Sequence, residues 1–251
     1  MPTVLAAVLL FVLGTALGSF LQTVVDRHQR GENWVKGRSR CDRCRIALSW
    51  RETIPLASFI WLRGRCRSCG KRIAVWHLLS EILLGTLFVL VYLWPFALGL
   101  AGLPAQLFIL CLLFGLFIYD LRYGELPDQF TLPSLAAVAL LAFFTGQPLI
   151  KLAGAALIGG GFFLVQFLLS KGRWVGRGDS RLGALLGLVV GWPAILSVLF
   201  VAYVGGALVA SMLVLMHVKT LKDRIPMAGF LIPAALVVLW FGDKLLALVS
   251  Y

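Results

Sequence analysis

Long apolar stretches dominate this sequence and limit what it can fold into. Eight segments, most of them without a charged residue, have the length or composition of membrane-spanning helices. They cover residues 4–25, 73–93, 104–119, 130–144, 149–169, 182–190, 194–216 and 227–240. With 60% hydrophobic residues, the chain is too apolar for an ordinary soluble domain. The sequence therefore predicts an all-α polytopic membrane protein of about eight transmembrane helices.

Basic residues are concentrated on one side of these segments. Thirteen of the 23 Lys and Arg residues lie between Arg27 and Arg72, in the first loop. If the amino terminus is outside and every segment crosses, 21 of the 23 lie on the cytoplasmic side, as the positive-inside rule requires. The net charge of +12 is then explained by topology and by attraction to anionic lipid headgroups, and nucleic acid is not an expected partner.

The first cytoplasmic loop contains two CxxC pairs separated by 21 residues. Such pairs supply four thiolates for a tetrahedral zinc ion, and a reducing cytoplasm disfavours disulfides as the alternative. A site closed by four cysteines is structural, because it leaves no open position for a substrate. We expect a positive φ at Gly70, just past the second pair, and simple packing for Cys111 within an apolar helix. The predicted zinc ligands are Cys41, Cys44, Cys66 and Cys69.

These features predict three parts of the chain. Residues 1–25 form the first transmembrane helix, residues 26–72 a small cytoplasmic zinc-knuckle domain inserted after it, and residues 73–251 the remaining transmembrane domain. A loop of this size has too few apolar residues to fold well alone, so a metal ion would stabilise it.

Two aspartates follow or precede apolar segments on the predicted cytoplasmic side. Asp120 ends the third segment, and Asp179 precedes the sixth in the sequence GRGDSRLG. A carboxylate at such a position is costly unless it has a function or a partner. We expect Gly176 and Gly178 to shape the loop that presents Asp179. Small residues at Gly183, Gly187 and Gly191, spaced four apart, then allow close packing of the helix that follows.

A meeting of Asp120 and Asp179 would create a carboxylate pair that shares a proton and performs general acid–base catalysis. Taken alone, each aspartate also fits a simpler role. Asp179 would serve as a helix N-cap, and Asp120 as a partner of Arg122. Intramembrane carboxylates also form proton relays, so residue patterns leave open a transporter or metal carrier with a zinc-stabilised module. A scaffold whose zinc module binds an assembly partner is a third interpretation.

Four stretches together resemble the type IV prepilin peptidases, which are bifunctional leader peptidases and N-methyltransferases. They are LGSFLQTVVDRHQRG, the paired CxxC segment, YDLRYGELPDQFTLP and GRGD, in the order of that family. Matched position by position, Asp120 and Asp179 would be the catalytic dyad of a Gly-x-Gly-Asp aspartic protease. Asp128 matches a position usually treated as non-catalytic.

The resemblance implies a multi-pass enzyme of the bacterial inner membrane with its active site facing the cytoplasm. It would cut the basic leader from type IV prepilins or pseudopilins after a glycine. It would then methylate the new amino terminus with S-adenosylmethionine. The sequence has no nucleotide-binding glycine motif, so the methyl-donor site would be unusual, and Glu81 is our candidate for it. Pairing of Glu81 with Arg72 or with His77 is an equally weighted alternative.

Overall fold

The computed structural model describes residues 2–34, 37–97, 102–220 and 225–249. Within these ranges the chain forms helices, turns, loops and two isolated β-bridges. The helices are α1 Pro2–Gln29, α2 Ala57–Trp61, α3 Val75–Leu93, α4 Leu103–Tyr123, α5 Asp128–Phe144, α6 Leu149–Ser170, α7 Arg177–Val190, α8 Ala194–Leu215 and α9 Ala228–Val249. Lys36, Lys222 and Arg224, which contribute to the predicted charge asymmetry, lie outside the described residues.

Each of the eight predicted apolar segments forms a helix, namely α1 and α3 to α9. In the described part of the chain, five helices are long and apolar enough to cross a membrane: α1, α3, α4, α6 and α8. Helix α5 and the first part of α9 are apolar but shorter, and α7 has 14 residues. The all-α membrane architecture is thus confirmed, while the number of crossings stays a prediction.

The first compact unit, Met1–Trp94, combines α1 and α3 with the cysteine-rich segment between them. Small residues let the two long helices approach closely. A Cβ atom on Gly14 would lie 2.8 Å from the Cα atom of Gly85, and one on Gly18 would lie 2.8 Å from the carbonyl oxygen of Ser80. Further along α1, the buried side chain of Gln22 accepts a hydrogen bond from the Ser80 hydroxyl. Close packing and one buried polar contact therefore fix α1 against α3.

The second compact unit, Pro95–Tyr251, contains α4 to α9, with α7 in contact with α5, α6, α8 and α9. Most apolar side chains of α7 are buried, and Leu182 and Leu186 have no exposed surface. Glycines provide the contact with α6. A side chain on Gly183 would collide with the backbone of Gly159, and one on Gly187 with the backbone of Ala155. The predicted close packing through Gly183 and Gly187 is confirmed, whereas Gly191 ends the helix.

The division into compact units differs from the boundaries predicted after residues 25 and 72. Helix α3 packs on α1, so the first unit extends to Trp94 and includes the second long helix. The predicted boundaries separate membrane segments from a cytoplasmic segment. The compact units instead follow side-chain packing, which residue patterns along the chain do not display.

Candidate active site and metal centre

Asp120 lies in the last turn of α4, and only 4% of its surface is exposed. Its Oδ2 accepts a hydrogen bond of 2.7 Å from the backbone N–H of Ala228, and the Gly229 amide supplies a second. These amides belong to the first turn of α9, where backbone N–H groups have no partner inside the helix. The start of α9 therefore holds this carboxyl group, while Arg122 lies over the ring of Tyr123.

Asp179 is the third residue of α7, and 8% of its surface is exposed. Its Oδ2 accepts a hydrogen bond of 2.7 Å from the backbone N–H of Gly176, which is the N-cap residue. The alternative that Asp179 itself is the N-cap is therefore wrong. Its carboxyl group closes the first turn from inside the helix, where the helix dipole favours a negative charge.

The fold brings the two carboxyl groups within electrostatic range of each other, although the residues are 59 positions apart in sequence. They are close enough for the charge of Asp179 to act on Asp120. Helix α9 contacts both α4 and α7, and thus connects the two helices that carry the aspartates. Two buried carboxyl groups within electrostatic range of each other do not ionise together easily, and such a pair is suited to supply one acid and one base.

Gly176 and Gly178 lie at the start of α7 and differ in what they do. Gly176 has φ −78° and ψ 159°, an extended conformation that any residue can adopt. Gly178 is inside the helix, where a Cβ atom would lie 2.6 Å from the Cβ atom of Leu126. The glycine at position 178 therefore permits the first turn of α7 to contact the connector between α4 and α5.

An ion pair makes a second contact between the same two regions. The guanidinium group of Arg181, one turn into α7, pairs with the carboxylate of Asp128, the first residue of α5. Asp128 is thus engaged with a cation. This contact and the Gly178 contact together position the turn that carries Asp179.

The four predicted metal ligands also come together. The Sγ atoms of the four cysteines all lie within 4.8 Å of one another, and those of Cys41 and Cys69 are 4.0 Å apart. A tetrahedral zinc ion with Zn–S bonds of about 2.3 Å places its sulfur atoms about 3.8 Å apart. The sulfur atoms are therefore arranged as a four-thiolate metal site requires, and the cluster could hold a metal ion.

The two CxxC pairs adopt the same backbone structure. Cys41 accepts a hydrogen bond from the N–H of Arg45 at 2.9 Å, and Cys66 accepts one from Gly70 at 2.9 Å. Each pair is closed by an isolated β-bridge, Arg40 to Ala47 and Arg65 to Arg72. The residue after each pair has a positive φ, 61° at Arg45 and 68° at Gly70, so the expectation for Gly70 is confirmed.

Glu81 lies on α3, where 7% of its surface is exposed. Its Oε2 accepts a hydrogen bond of 2.8 Å from the backbone N–H of Leu56, the N-cap residue of α2. His77, the partner considered one turn earlier, instead faces Asp42 at 3.7 Å. The hydrogen bond from His77 is the largest cause that lowers the pKa of Asp42 to about 2. Glu81 therefore anchors the segment between the two cysteine pairs to α3.

Sequence reasoning missed three contributors to these sites. The amide of Ala228 has no side-chain signature, so no pattern indicates it. The ion pair between Arg181 and Asp128 could have been predicted from the sequence, because both residues lie in or next to the two aspartate motifs. The Tyr203 hydroxyl, which donates a hydrogen bond to Gln166, lies near enough to Asp179 for its charge to act on it. A polar residue in an apolar span was the available signal for Tyr203.

Comparisons with known proteins cover both compact units. Residues 12–95 match the family described as Bacterial Peptidase A24 N-terminal domain, and residues 107–211 match the Type IV leader peptidase family. The first range contains the four cysteines and Glu81, and the second contains Asp120 and Asp179. No solved structure matches the chain.

Three curated relatives share the name prepilin leader peptidase/N-methyltransferase. The chain is 38% identical to that of Myxococcus xanthus over 219 residues, which are 84% of this chain and 64% of the relative. It is 30% identical to that of Bacillus subtilis over 246 residues, covering 95% of this chain and 96% of the relative. It is 36% identical to that of Klebsiella pneumoniae over 205 residues, covering 77% of this chain and 89% of the relative. The chain therefore belongs to the type IV leader peptidase family.

Proposed function

We propose that this protein is an aspartic endopeptidase of the bacterial inner membrane that removes the basic leader from type IV prepilins or pseudopilins. It cuts after a glycine on the cytoplasmic side. The observation that supports this proposal is that Asp120 and Asp179 are both buried at helix ends, within electrostatic range of each other, in a chain of the leader peptidase family. The names of the curated relatives support the same substrate class.

The positions of the two aspartates suit a substrate with an apolar helix next to a basic leader. Asp120 lies in the last turn of α4, and Asp179 in the first turn of α7. A pair at helix ends lies near the boundary of the bilayer, so the apolar part of a prepilin can remain in the membrane. The leader would extend into the water beyond it.

Hydrolysis by this pair needs one deprotonated and one protonated carboxyl group. The carboxylate takes a proton from water as the water oxygen bonds to the scissile carbonyl carbon, and the carboxylic acid gives its proton to the carbonyl oxygen. The tetrahedral intermediate then collapses: the C–N bond breaks, the nitrogen receives the proton that the first carboxyl group took from water, and the second carboxyl group takes back its proton as the carbonyl bond re-forms. Hydrogen bonds from Ala228 and Gly176 fix the orientation of the two carboxyl groups before the substrate arrives.

The metal bound by the four cysteines is zinc in this proposal, and its role is structural. Four thiolates complete the coordination of the ion and leave no position for a substrate. Cys41, Cys44, Cys66 and Cys69 would hold it between the two CxxC turns. The ion then joins two short segments that have few apolar residues of their own.

Methylation of the new amino terminus, with S-adenosylmethionine as donor, is the second activity that we propose. The names of the relatives support it. Glu81 remains our candidate for the donor site, although one of its oxygens already accepts the Leu56 N–H. If Glu81 acts only as an anchor, a Glu81→Gln variant keeps the acceptor oxygen and still methylates. If the charge contacts the methyl donor, that variant cleaves but no longer methylates.

The test uses purified protein in liposomes and a prepilin with its leader and glycine junction. Mass spectrometry of the products, with and without S-adenosylmethionine, separates loss of the leader from gain of a methyl group. We expect Asp120→Asn and Asp179→Asn to abolish cleavage while the protein stays folded and inserted. Asp128→Asn is the matched comparison: it weakens the pairing with Arg181 that positions the turn of Asp179 but removes no member of the dyad, so it should lower cleavage without abolishing it. Substantial cleavage by either Asp120→Asn or Asp179→Asn would refute the dyad.

The transporter alternative has less support. It requires polar groups that continue through the membrane beyond the aspartates, and the family comparison favours hydrolysis. If a folded preparation cleaved none of several prepilins, the transporter interpretation would be favoured instead.

A further inference from the structure

Two polar side chains meet between otherwise apolar helices, Gln166 near the end of α6 and Tyr203 in the middle of α8. The Tyr203 hydroxyl on α8 donates a hydrogen bond of 2.9 Å to the Oε1 atom of Gln166 on α6. The Nε2 atom of Gln166 donates one of 3.3 Å to the carbonyl oxygen of Phe162. The helices that carry the pair have mean hydropathies of 2.0 and 2.4, and the pair is accessible, with 36% of Tyr203 exposed. Polar groups in such surroundings are costly and usually functional.

The pair lies at the depth of Asp179. Helices α6 and α7 run antiparallel, with Gly159 against Gly183 and Ala155 against Gly187. Continued along the helices, this register places Asp179 level with Phe163, about one turn from Gln166. Helix α8 follows α7 after a short turn and returns alongside it, which brings the Tyr203 hydroxyl within electrostatic range of Asp179.

Aromatic rings hold Tyr203 in place. Its ring packs edge-to-face on Phe162, with centroids 5.4 Å apart, and parallel to Phe163, with centroids 6.3 Å apart. A hydroxyl group fixed in this way is a defined hydrogen-bonding position in the apolar surface.

Proteolysis in the membrane exposes backbone groups of the substrate. A peptide bond is accessible to water only when the local helix is extended, and the N–H and C=O groups released then lack partners in an apolar environment. Each such group costs several kcal/mol if it stays unpaired. A tyrosine hydroxyl and a glutamine amide both donate and accept hydrogen bonds. After their bond to each other, the Tyr203 oxygen can still accept, and Nε2 of Gln166 carries a second hydrogen.

We propose that Gln166 and Tyr203 form a subsite that binds the backbone of an extended peptide segment next to the scissile bond. The inference rests on the proposed peptidase function and adds the contact by which this site holds an unwound substrate. The subsite recognises the peptide group and not a side chain, so it would serve prepilins of different sequence.

Steady-state cleavage of a prepilin in liposomes tests this inference with Tyr203→Phe and Gln166→Leu. We expect each variant to raise KM about fivefold, since a hydrogen bond contributes about 0.5–1.5 kcal/mol. The value of kcat should be unchanged, because the flanking peptide group is bound equally before and during the reaction. A synthetic substrate with one backbone ester near the junction lacks one N–H. This ester substrate should bind more weakly than the amide substrate to the wild type. If the missing N–H is the one that pairs with the Tyr203 oxygen, the two substrates should bind equally to Tyr203→Phe.

Two controls make the result decisive. Tyr92→Phe removes a hydroxyl from another long helix, α3, and should leave KM unchanged. The affinity of the inactive Asp179→Asn protein for prepilin, with and without Tyr203→Phe, reports binding without cleavage and should fall by the same factor.

If the variants lower the unfolding temperature but leave KM and this affinity unchanged, the pair only joins two helices and the inference is overturned. That result would leave the peptidase proposal intact, whereas cleavage by Asp179→Asn would overturn the dyad itself.

Discussion

At the scale of single residues, Gly178 shows how little space the proposed active site leaves. A Cβ atom there would lie 2.6 Å from the Cβ atom and 2.9 Å from the carbonyl oxygen of Leu126. We predict that Gly178→Ala reduces cleavage about tenfold or more, because overpacking of this kind costs about 1–3 kcal/mol and must shift the turn that holds Asp179. The measurement is kcat/KM for prepilin cleavage, together with the unfolding temperature.

Gly154 on α6 provides the matched control. A Cβ atom at this position would meet nothing within 4 Å. Alanine is favoured over glycine inside a helix by about 0.5–1 kcal/mol, so Gly154→Ala should keep full activity. An equal loss of activity in both variants would show that the Leu126 contact is not the cause.

Residue patterns in the sequence could indicate the two aspartates but not the groups that bind them. Asp120 and Asp179 were identifiable because a carboxylate beside an apolar segment is rare and needs an explanation. Their partners were not, because Ala228 and Gly176 contribute backbone N–H groups that every residue but proline possesses. A sequence displays a catalytic side chain but does not display the amide that orients it.

At the scale of local elements, the paired cysteine turns have equal geometry but different residues at the strained position. Gly70 adopts φ 68° and Arg45 adopts φ 61°. We predict that Gly70→Ala lets a chelator remove the metal about fivefold more readily, because a Cβ atom at such a φ costs about 1 kcal/mol. Competition with a chromophoric chelator measures this change.

Arg45→Ala is the control for that experiment. It places the same residue in the same conformation, but a Cβ atom is already present there, so no strain is added. Metal retention close to that of the wild type is expected. A loss at Arg45 as large as the loss at Gly70 would contradict strain as the cause.

The helices themselves were largely predictable, and the errors have physical causes. Apolar runs located eight helices, but charged residues were taken as their ends. Helix α4 continues to Tyr123, past Asp120 and Arg122, and α7 begins at Arg177, before Asp179. Backbone hydrogen bonds do not stop at a charge when its side chain finds a partner. The short helix α2 was missed because five residues are too few to show a helical periodicity of apolar residues.

At the scale of the whole molecule, the two chemical centres belong to different compact units. All four cysteines lie in Met1–Trp94, and both aspartates lie in Pro95–Tyr251. We predict that zinc chelation, or Cys44→Ser, impairs methylation more than cleavage. Both reactions can be followed by mass spectrometry of the same samples. Loss of cleavage alone, from protein that is folded and retains its metal, would contradict this division.

Topology is a second property of the whole molecule that awaits measurement. With the amino terminus outside, Gln147 faces the exterior and Arg173 faces the cytoplasm. We predict that a membrane-impermeant maleimide labels Gln147→Cys in intact cells and does not label Arg173→Cys. The native cysteines should give little background, because four lie in the loop predicted to be cytoplasmic and Cys111 lies within α4. The opposite labelling pattern would invert the predicted orientation.

The amide that holds Asp120 belongs to α9, 108 residues further along the chain. During synthesis both aspartates are therefore made well before α9. In that interval Asp120 has no donor from Ala228, and α4 and α7 have no common neighbour in α9. If Asp120 and Asp179 are the catalytic pair, the group that orients Asp120 is therefore in place only after α9, the last helix that the structure describes, has been made.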